Sequence, residues 1–321
     1  IFFNLEKSPV AGVSLEDLAG PQARAGAPYG SDGELSLPDR WIYSRLGVVS
    51  AVVDGALEDF RFHEASHLVY HFFWHEFCDW YIEWVKPKLA LADRDGATAA
   101  WRNLFAVFES ALRLLHPFMP FLTEELWHRL PQGAGAKSIA LEPFPEFRIR
   151  SQDCQAEEDM ALLQQIITAA RNIRAEAQID SKKKVAAEFS TPDAATRALV
   201  EANLDAVFRL ATVSELKFAV GRLDAGGGVV RSAAQFDLRI AFSESIDVAA
   251  ESARLRKERE RLGKDIESKR LRLADQAFRS KAPEHVVRNM ESALAEREAE
   301  LAKLRERLAQ LEQNPAAEAS A

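Results

Sequence analysis

The chain is 321 residues long and 47% hydrophobic, and its 41 Lys/Arg against 49 Asp/Glu leave a formal net charge of −8. Such a length points to two or three domains with substantial cores and excludes disorder as the default state. The two cysteines, Cys78 and Cys154, lie far apart without metal-type spacing, as expected of reduced thiols in a cytoplasmic protein, and no apolar run approaches the roughly eighteen residues of a membrane span.

The opening IFFNLEKSPV is too short for a signal peptide and has no basic n-region. It reads as the tail of a helix whose earlier part is missing, so the chain is expected to be truncated. Residues 19–38, rich in Gly, Pro and Ala, read as a surface loop. A long helix follows: Ser36 is placed to cap it, Asp39 occupies the capping-box position, and Trp41, Ile42, Leu46, Val49, Val53 and Leu57 form its apolar stripe. A second long helix is predicted from about Glu64 to Val85, ending near Pro87, and a third from about Thr98 to Leu115, stopped by Pro117. A shorter one begins near Thr123 and carries Leu126 and Trp127. Helices joined by connections this short imply an antiparallel bundle over residues 1–150.

After Pro143 and Pro145 the character changes to a small α+β domain over residues 151–247. A helix from about Glu157 to Ala177 precedes the strand VAAEFS (185–190), a helical stretch from Ala194 to Leu210, and the strands ELKFAV (215–220) and FDLRIAF (236–242). Gly226, Gly227 and Gly228 are expected to form the turn between the last two strands.

Residues 248–313 carry a coiled-coil pattern. Val287, Met290, Leu294, Leu301, Leu304, Leu308 and Leu311 recur at steps of three and four, interrupted by Arg297, and Leu255, Leu262, Ile266 and Leu273 keep the same period upstream. A short segment with Pro283 separates the runs, so the two helices are expected to fold back as an antiparallel hairpin projecting roughly 40 Å. Residues 314–321 read as a disordered tail. From Arg254 to Met290 twelve Lys/Arg face six Asp/Glu, so this stretch is +6 and the remainder −14. A basic arm on an acidic chain concentrates attraction for a polyanion. Charged residues also flank coiled-coil seams simply to solvate them, which leaves a protein-interaction or spacer arm open.

His63, His67, His71 and His75 sit at successive i, i+4 steps, but the set rotates around the helix and cannot converge on one ion, so no metal site is expected. The aromatic density from Tyr70 to Trp84 exceeds what one buried stripe needs, and exposed rings beside cations can stack on unpaired bases. Arg171, Arg174, Lys182, Lys183 and Lys184 suggest a phosphate-contacting patch, although a solvated helix end looks similar. Glycine-rich phosphate loop, nucleophile elbow and paired carboxylates are all missing, so the residues show no catalytic centre.

Three runs carry a resemblance. LPDRWIYSRL (37–46), YHFFWHEFCDWYIEWVKPKL (70–89) and LHPFMPFLTEELWHRL (115–130) together resemble the anticodon-binding helical domain of the class I aminoacyl-tRNA synthetases for valine, isoleucine and leucine, with the valyl-tRNA synthetases matching best. SIALEPFP (138–145) resembles the segment that closes that domain, and AARNIRAEAQIDSKKKV the start of the next. FRSKAPEHVV (278–287) resembles the tip of the C-terminal coiled coil that sets the valine enzymes apart.

The resemblance implies a mainly α protein: bundle, small α+β domain and coiled-coil arm, together the tRNA-recognition portion of a ligase. The catalytic and editing domains, with the ATP and Mg they use, would lie elsewhere, leaving this segment inactive alone and without a cofactor. The implied partner is tRNA, valine tRNA in particular, and the implied state a cytoplasmic monomer. Candidate RNA contacts are Arg40, Arg45, Lys86 and Lys88 with Trp80 or Trp84 as stacking partners on the bundle; Arg171, Arg174 and Lys182 on the small domain; and Lys264, Arg270, Arg272, Phe278, Lys281 and Arg288 on or near the arm tip. Two alternatives stand beside it: the equivalent region of an isoleucyl- or leucyl-type synthetase, and a scaffold whose arm pairs with another chain.

Overall fold

The computed structural model describes residues 10, 35–90, 94–130, 137–145, 152–177, 179–224, 228–241, 248–275, 278 and 283–313. The expected opening helix tail, most of the surface loop, the terminal tail, Gly226, Gly227 and Lys281 therefore lie outside the described residues. The chain divides into two compact units, Ile1–Leu162 and Leu163–Ala321.

In the first unit α1 spans Leu37–Glu58, and its stripe of Trp41, Ile42, Leu46, Val49 and Val53 is buried as the periodicity predicts. Its N-terminus is not a capping box. The Ser36 hydroxyl donates to the Asp39 carboxylate instead of receiving a backbone N–H, and Asp39, itself buried, accepts from the Tyr81 hydroxyl at 2.7 Å. Burial beside Asp39 pushes the Tyr81 hydroxyl well above the ordinary tyrosine value.

The next helix, α2, is continuous from 62 to 89 and does not stop before Pro87: it is α-helical at Phe62–His71, π-helical at Phe72–Ile82 and α-helical again at Glu83–Leu89. Proline here removes one N–H in the final turn, on an exposed face, and Trp101 Nε1 donates to the terminal Leu89 carbonyl at 3.3 Å. The wider π geometry brings residues five apart together. Phe72 and Phe77 are both buried, Tyr70 faces His75 at 6.1 Å between ring centroids, and His71 lies 3.9 Å from Glu76. Phe77 stacks in parallel on Phe108 at 5.8 Å. That packing accommodates much of the aromatic density, while Tyr70 and Trp74 remain exposed.

The helix α3, Arg94–Leu115, starts earlier than the apolar pattern indicates and supplies Trp101, Leu104, Phe105 and Leu112 to the core. After α4, Pro120–Trp127, a short 3-10 turn at Ile139–Leu141 closes the bundle. Glu124 fixes that turn by accepting from Ser138 Oγ and the Ile139 N–H, and buried Glu109 accepts from Trp127 Nε1 at 3.0 Å and Arg113 at 2.8 Å. The 23-residue α5, Cys154–Glu176, runs from the first unit into the second.

The second unit holds a four-stranded sheet in the order β2-β1-β4-β3. The strands are β1 Val185–Ser190, β2 Val213–Phe218, β3 Gly228–Ser232 and β4 Asp237–Ala241. β1 and β2 pair in parallel, joined by a crossover through α6, Ala194–Ala202, and α7, Leu204–Ala211, where a single helical stretch was expected. β4 pairs antiparallel with both β1 and β3. Phe189 stacks on Phe236 at 5.7 Å and meets Phe218 edge-on at 5.8 Å. Gly228, expected in a turn, opens a strand that the alternation rule passed over because its side chains, unlike those of a half-exposed strand, are buried at three successive positions. A Cβ at Gly228 would sit 2.6 Å from the Ile240 carbonyl oxygen, so the close approach of β3 to β4 requires glycine.

The last two helices, α8 Val248–Ala274 and α9 Glu284–Gln313, pack on each other. Nine residues join them, a reach of at most about 30 Å, whereas a parallel arrangement would need to recross about 40 Å of helix; the pair therefore folds back as an antiparallel hairpin. Leu255, Ile266, Leu273, Leu301 and Leu308 are buried in its seam, and Leu262, Met290, Leu294 and Leu304 are half-buried. α8 carries nine Lys/Arg against five Asp/Glu and α9 five against seven, so the helices attract each other. Arg270–Glu298 at 2.5 Å and Arg297–Asp265 at 3.7 Å cross the seam.

Gly228→Ala is expected to destabilise the second unit by about 1–3 kcal/mol, because the added carbon meets backbone and not a movable side chain. Urea denaturation measures this, and an unchanged midpoint would show that β3 shifts without cost.

Candidate nucleic-acid interface

On the bundle, most candidate cations are already paired. Arg45 forms a fork with Glu76, 2.8 and 3.1 Å, and reaches Glu157 at 3.3 Å, tying α1 to α2 and α5; the Glu76 hydrogen bonds hold its guanidinium above the ordinary value. Exposed Arg40 donates to Asp153 at 2.8 Å. Lys86 is exposed and bridged to Glu83, and Lys88 is half-buried. Trp84 is buried and Trp80 half-buried, their rings 6.5 Å apart, whereas Phe60, Phe62, Tyr70, Trp74 and Phe121 are exposed. Phe60, at φ 58°, occupies left-handed backbone that bulky residues rarely adopt, and meets Phe62 edge-on at 6.0 Å. Sequence reasoning missed these two rings because Phe60 falls in the α1–α2 turn and Phe62 opens α2, outside any periodic stripe.

On the small domain the three candidates separate. Arg174 is 6% exposed and donates to four carbonyls, those of Lys183 (2.8 Å), Asp180 (2.9 Å), Thr212 (3.0 Å) and Ser181 (3.4 Å). A buried guanidinium needs such a full set of acceptors, and burial still lowers its pKa. Thr212 ends α7 at φ 55°, a strained setting for a β-branched residue, so the Arg174 clamp pins the strained corner. Arg171 is exposed and donates to the Leu210 carbonyl at 2.8 Å, while Lys182 is exposed beside Lys183 and Lys184.

On the arm, Arg256, Lys257, Arg259, Arg261, Lys264, Arg270 and Arg272 are all exposed along α8. Lys264 pairs with Glu260 at 2.7 Å, and Arg270 with Glu298. Arg272 lies over the half-buried Phe278 ring, 4.9 Å from its centroid, a cation–π contact near the tip. Arg288 is exposed at the start of α9, and Lys281 lies outside the described residues. Such exposed pairs are held weakly and can exchange a carboxylate for a phosphate.

The histidine series stays on the exposed face of α2, with His71 and His75 rings 5.0 Å apart and His75 facing Asp79 at 3.1 Å. Among the described residues no three His, Cys, Asp or Glu side chains are grouped to hold a metal ion, and no helix is long and apolar enough to cross a membrane.

Asp153 supplies a pH test. It caps α5 by accepting the Ala156 N–H at 2.9 Å, and its carboxyl is depressed below the ordinary 3.8 first by Arg40 and then by that N–H. Stability from a depressed carboxyl is fully present above its unfolded value and is lost as pH falls through its folded value. Asp153→Asn is expected to cost about 0.5–1 kcal/mol at pH 7, given how exposed the ion pair is, and nothing once the wild-type carboxyl is protonated. Denaturation at pH 7 and at successive values below 3.8 checks this: the cost should shrink as pH falls, and a cost independent of pH would contradict a role for the charge.

The comparisons with known proteins agree with this geometry. Residues 39–189 match the model of the anticodon-binding domain of tRNA ligase, and residues 247–312 that of the valyl tRNA synthetase tRNA binding arm. The valine–tRNA ligase of Solibacter usitatus is 40% identical over 84% of this chain and 30% of its own length. Those of Syntrophotalea carbinolica and Gloeobacter violaceus are 32% and 36% identical over 96% and 94% of this chain, in each case 33% of their own length. The chain thus spans about a third of the curated relatives it matches. Over the portion that it spans, the chain belongs to the valyl-tRNA synthetase family.

Proposed function

We propose that the chain is the tRNA-recognition portion of a valine–tRNA ligase, with the bundle engaging the anticodon arm and the helical hairpin the outer corner of tRNA. The observation that carries this reading is the basic hairpin: α8 exposes seven Lys/Arg outside its seam on an otherwise acidic chain. A polyanion meeting that helix would release counterions, the usual driving force for binding a nucleic-acid backbone. Activation of valine with ATP and Mg belongs, in this reading, to parts of the protein outside this chain, and a cytoplasmic location goes with it.

The valine assignment over isoleucine or leucine is supported by the arm match. The intramolecular packing of α8 on α9 supports a monomer over a scaffold that pairs with another chain. The geometry also divides the candidates. Lys182 on the small domain and Lys264, Arg270, Arg272 and Arg288 on the arm stand exposed for phosphate contact, with Phe278 beneath Arg272. Arg45 and Arg174 act through the structure by holding helices and a strained corner in place.

Affinity for valine tRNA is expected to fall steeply between 50 and 200 mM salt, each phosphate contact adding roughly 0.7–0.9 to the log–log slope. Replacing Arg270, Arg272 and Lys281 by Ala should weaken binding and reduce that slope by about 2. Filter-binding titrations over that salt range, with a non-cognate tRNA alongside, measure both. A flat salt response counts against the basic arm, and an unchanged affinity in the triple variant moves the contact surface off the tip.

A further inference from the structure

The foot of the hairpin is held to the sheet by ionic contacts that reach both of its helices. Arg231, on β3, donates to Glu258 of α8 at 3.4 Å and to Glu176 of α5 at 2.7 Å. Lys303, on α9, donates to the Ala233 carbonyl at 2.6 Å in the β3–β4 turn and lies 3.6 Å from Asp237, the first residue of β4. Arg222, between β2 and β3, pairs with Glu306 of α9. Asp237 is 6% exposed and its Oδ1 accepts no hydrogen bond among the described residues, so Lys303 and Arg222 are the charges that balance it.

These contacts lie at one level. Glu258 is ten residues beyond the start of α8, and Lys303 and Glu306 are ten and seven residues before the end of α9. Beyond them about 16 residues of α8, roughly 24 Å of helix, run on to the tip. A swing of about 10° at the foot would carry the tip about 4 Å, more than the length of a hydrogen bond. The seam does not itself set the arm's direction, since it joins the two helices only to each other.

We propose that Arg231, Lys303 and Arg222 form an ionic latch that fixes the direction of the arm relative to the sheet, making them positioning residues for RNA captured at the tip. What the arm captures rests on the function proposed above; the latch does not. The contacts span both helices, two strand ends and α5, so they resist bending in more than one direction. Arg231, Arg222 and Lys303 touch no RNA in this scheme.

Spin labels at Ser214→Cys on β2 and Ser268→Cys on α8, in a chain carrying Cys78→Ser and Cys154→Ser, report the direction of the arm as a distance distribution. The parent should give one narrow distribution. The Arg222→Gln, Arg231→Gln, Lys303→Met variant should give a broad one, with helix content retained by circular dichroism and affinity for valine tRNA about tenfold weaker. Lys303→Arg, which keeps the charge, should preserve both parental values. A narrow distribution in the triple variant overturns the latch, and a broad one with parental affinity overturns its role in positioning RNA. Should the parent bind no tRNA, the proposed function fails while the distances still decide the latch.

Discussion

The short connection between α8 and α9 is the constraint on which the arm depends. Nine residues cannot carry the chain back along a helix of 27, so the two helices must lie side by side in opposite directions. An antiparallel pair has a foot and a tip, and the seam is buried at both: Leu255 and Leu308 near the foot and Leu273 near the tip, where Val286, Val287 and Met290 of the facing helix are half-buried. Opposite net charges on the two helices reinforce the fold-back while leaving an exposed row of cations along α8.

The distribution of arginines follows from the cost of burying charge. Where a guanidinium is enclosed, as at Arg174, it is surrounded by carbonyls, and where it is half-enclosed, as at Arg45 and Arg231, it is shared between two carboxylates. Such residues bind the protein to itself. On α8, exposed Lys264 and Arg270 are each held by one solvated carboxylate, and such pairs are the ones that a phosphate backbone can take over at little cost.

Much of the fold was legible because it rests on periodicity. The stripe of α1, the strand VAAEFS at Val185–Ser190 and the two helices of the hairpin lie where spacing put them. The failures have local causes. Pro87 does not stop α2 because it falls in the last turn on an exposed face, and Gly228 opens a strand because close backbone approach, not a turn, requires glycine there. The π-helical stretch changes the period from four toward five, which no fixed helical template registers. Of the candidate site, the basic character of the arm was visible from charge alone. That Arg174 faces inward and that Trp84 is buried was not, since pairing partners such as the Thr212 and Lys183 carbonyls are brought together only by the fold.

In the proposed function one chain engages tRNA at two places, through the bundle and through the arm. Hydroxyl-radical footprinting of valine tRNA bound to the chain tests it most directly. The account predicts two protected regions, the anticodon arm and the outer corner, with the corner protection lost when the cations at the arm tip are removed and the anticodon protection retained. Protection confined to a single region, or corner protection that survives loss of those cations, would contradict it.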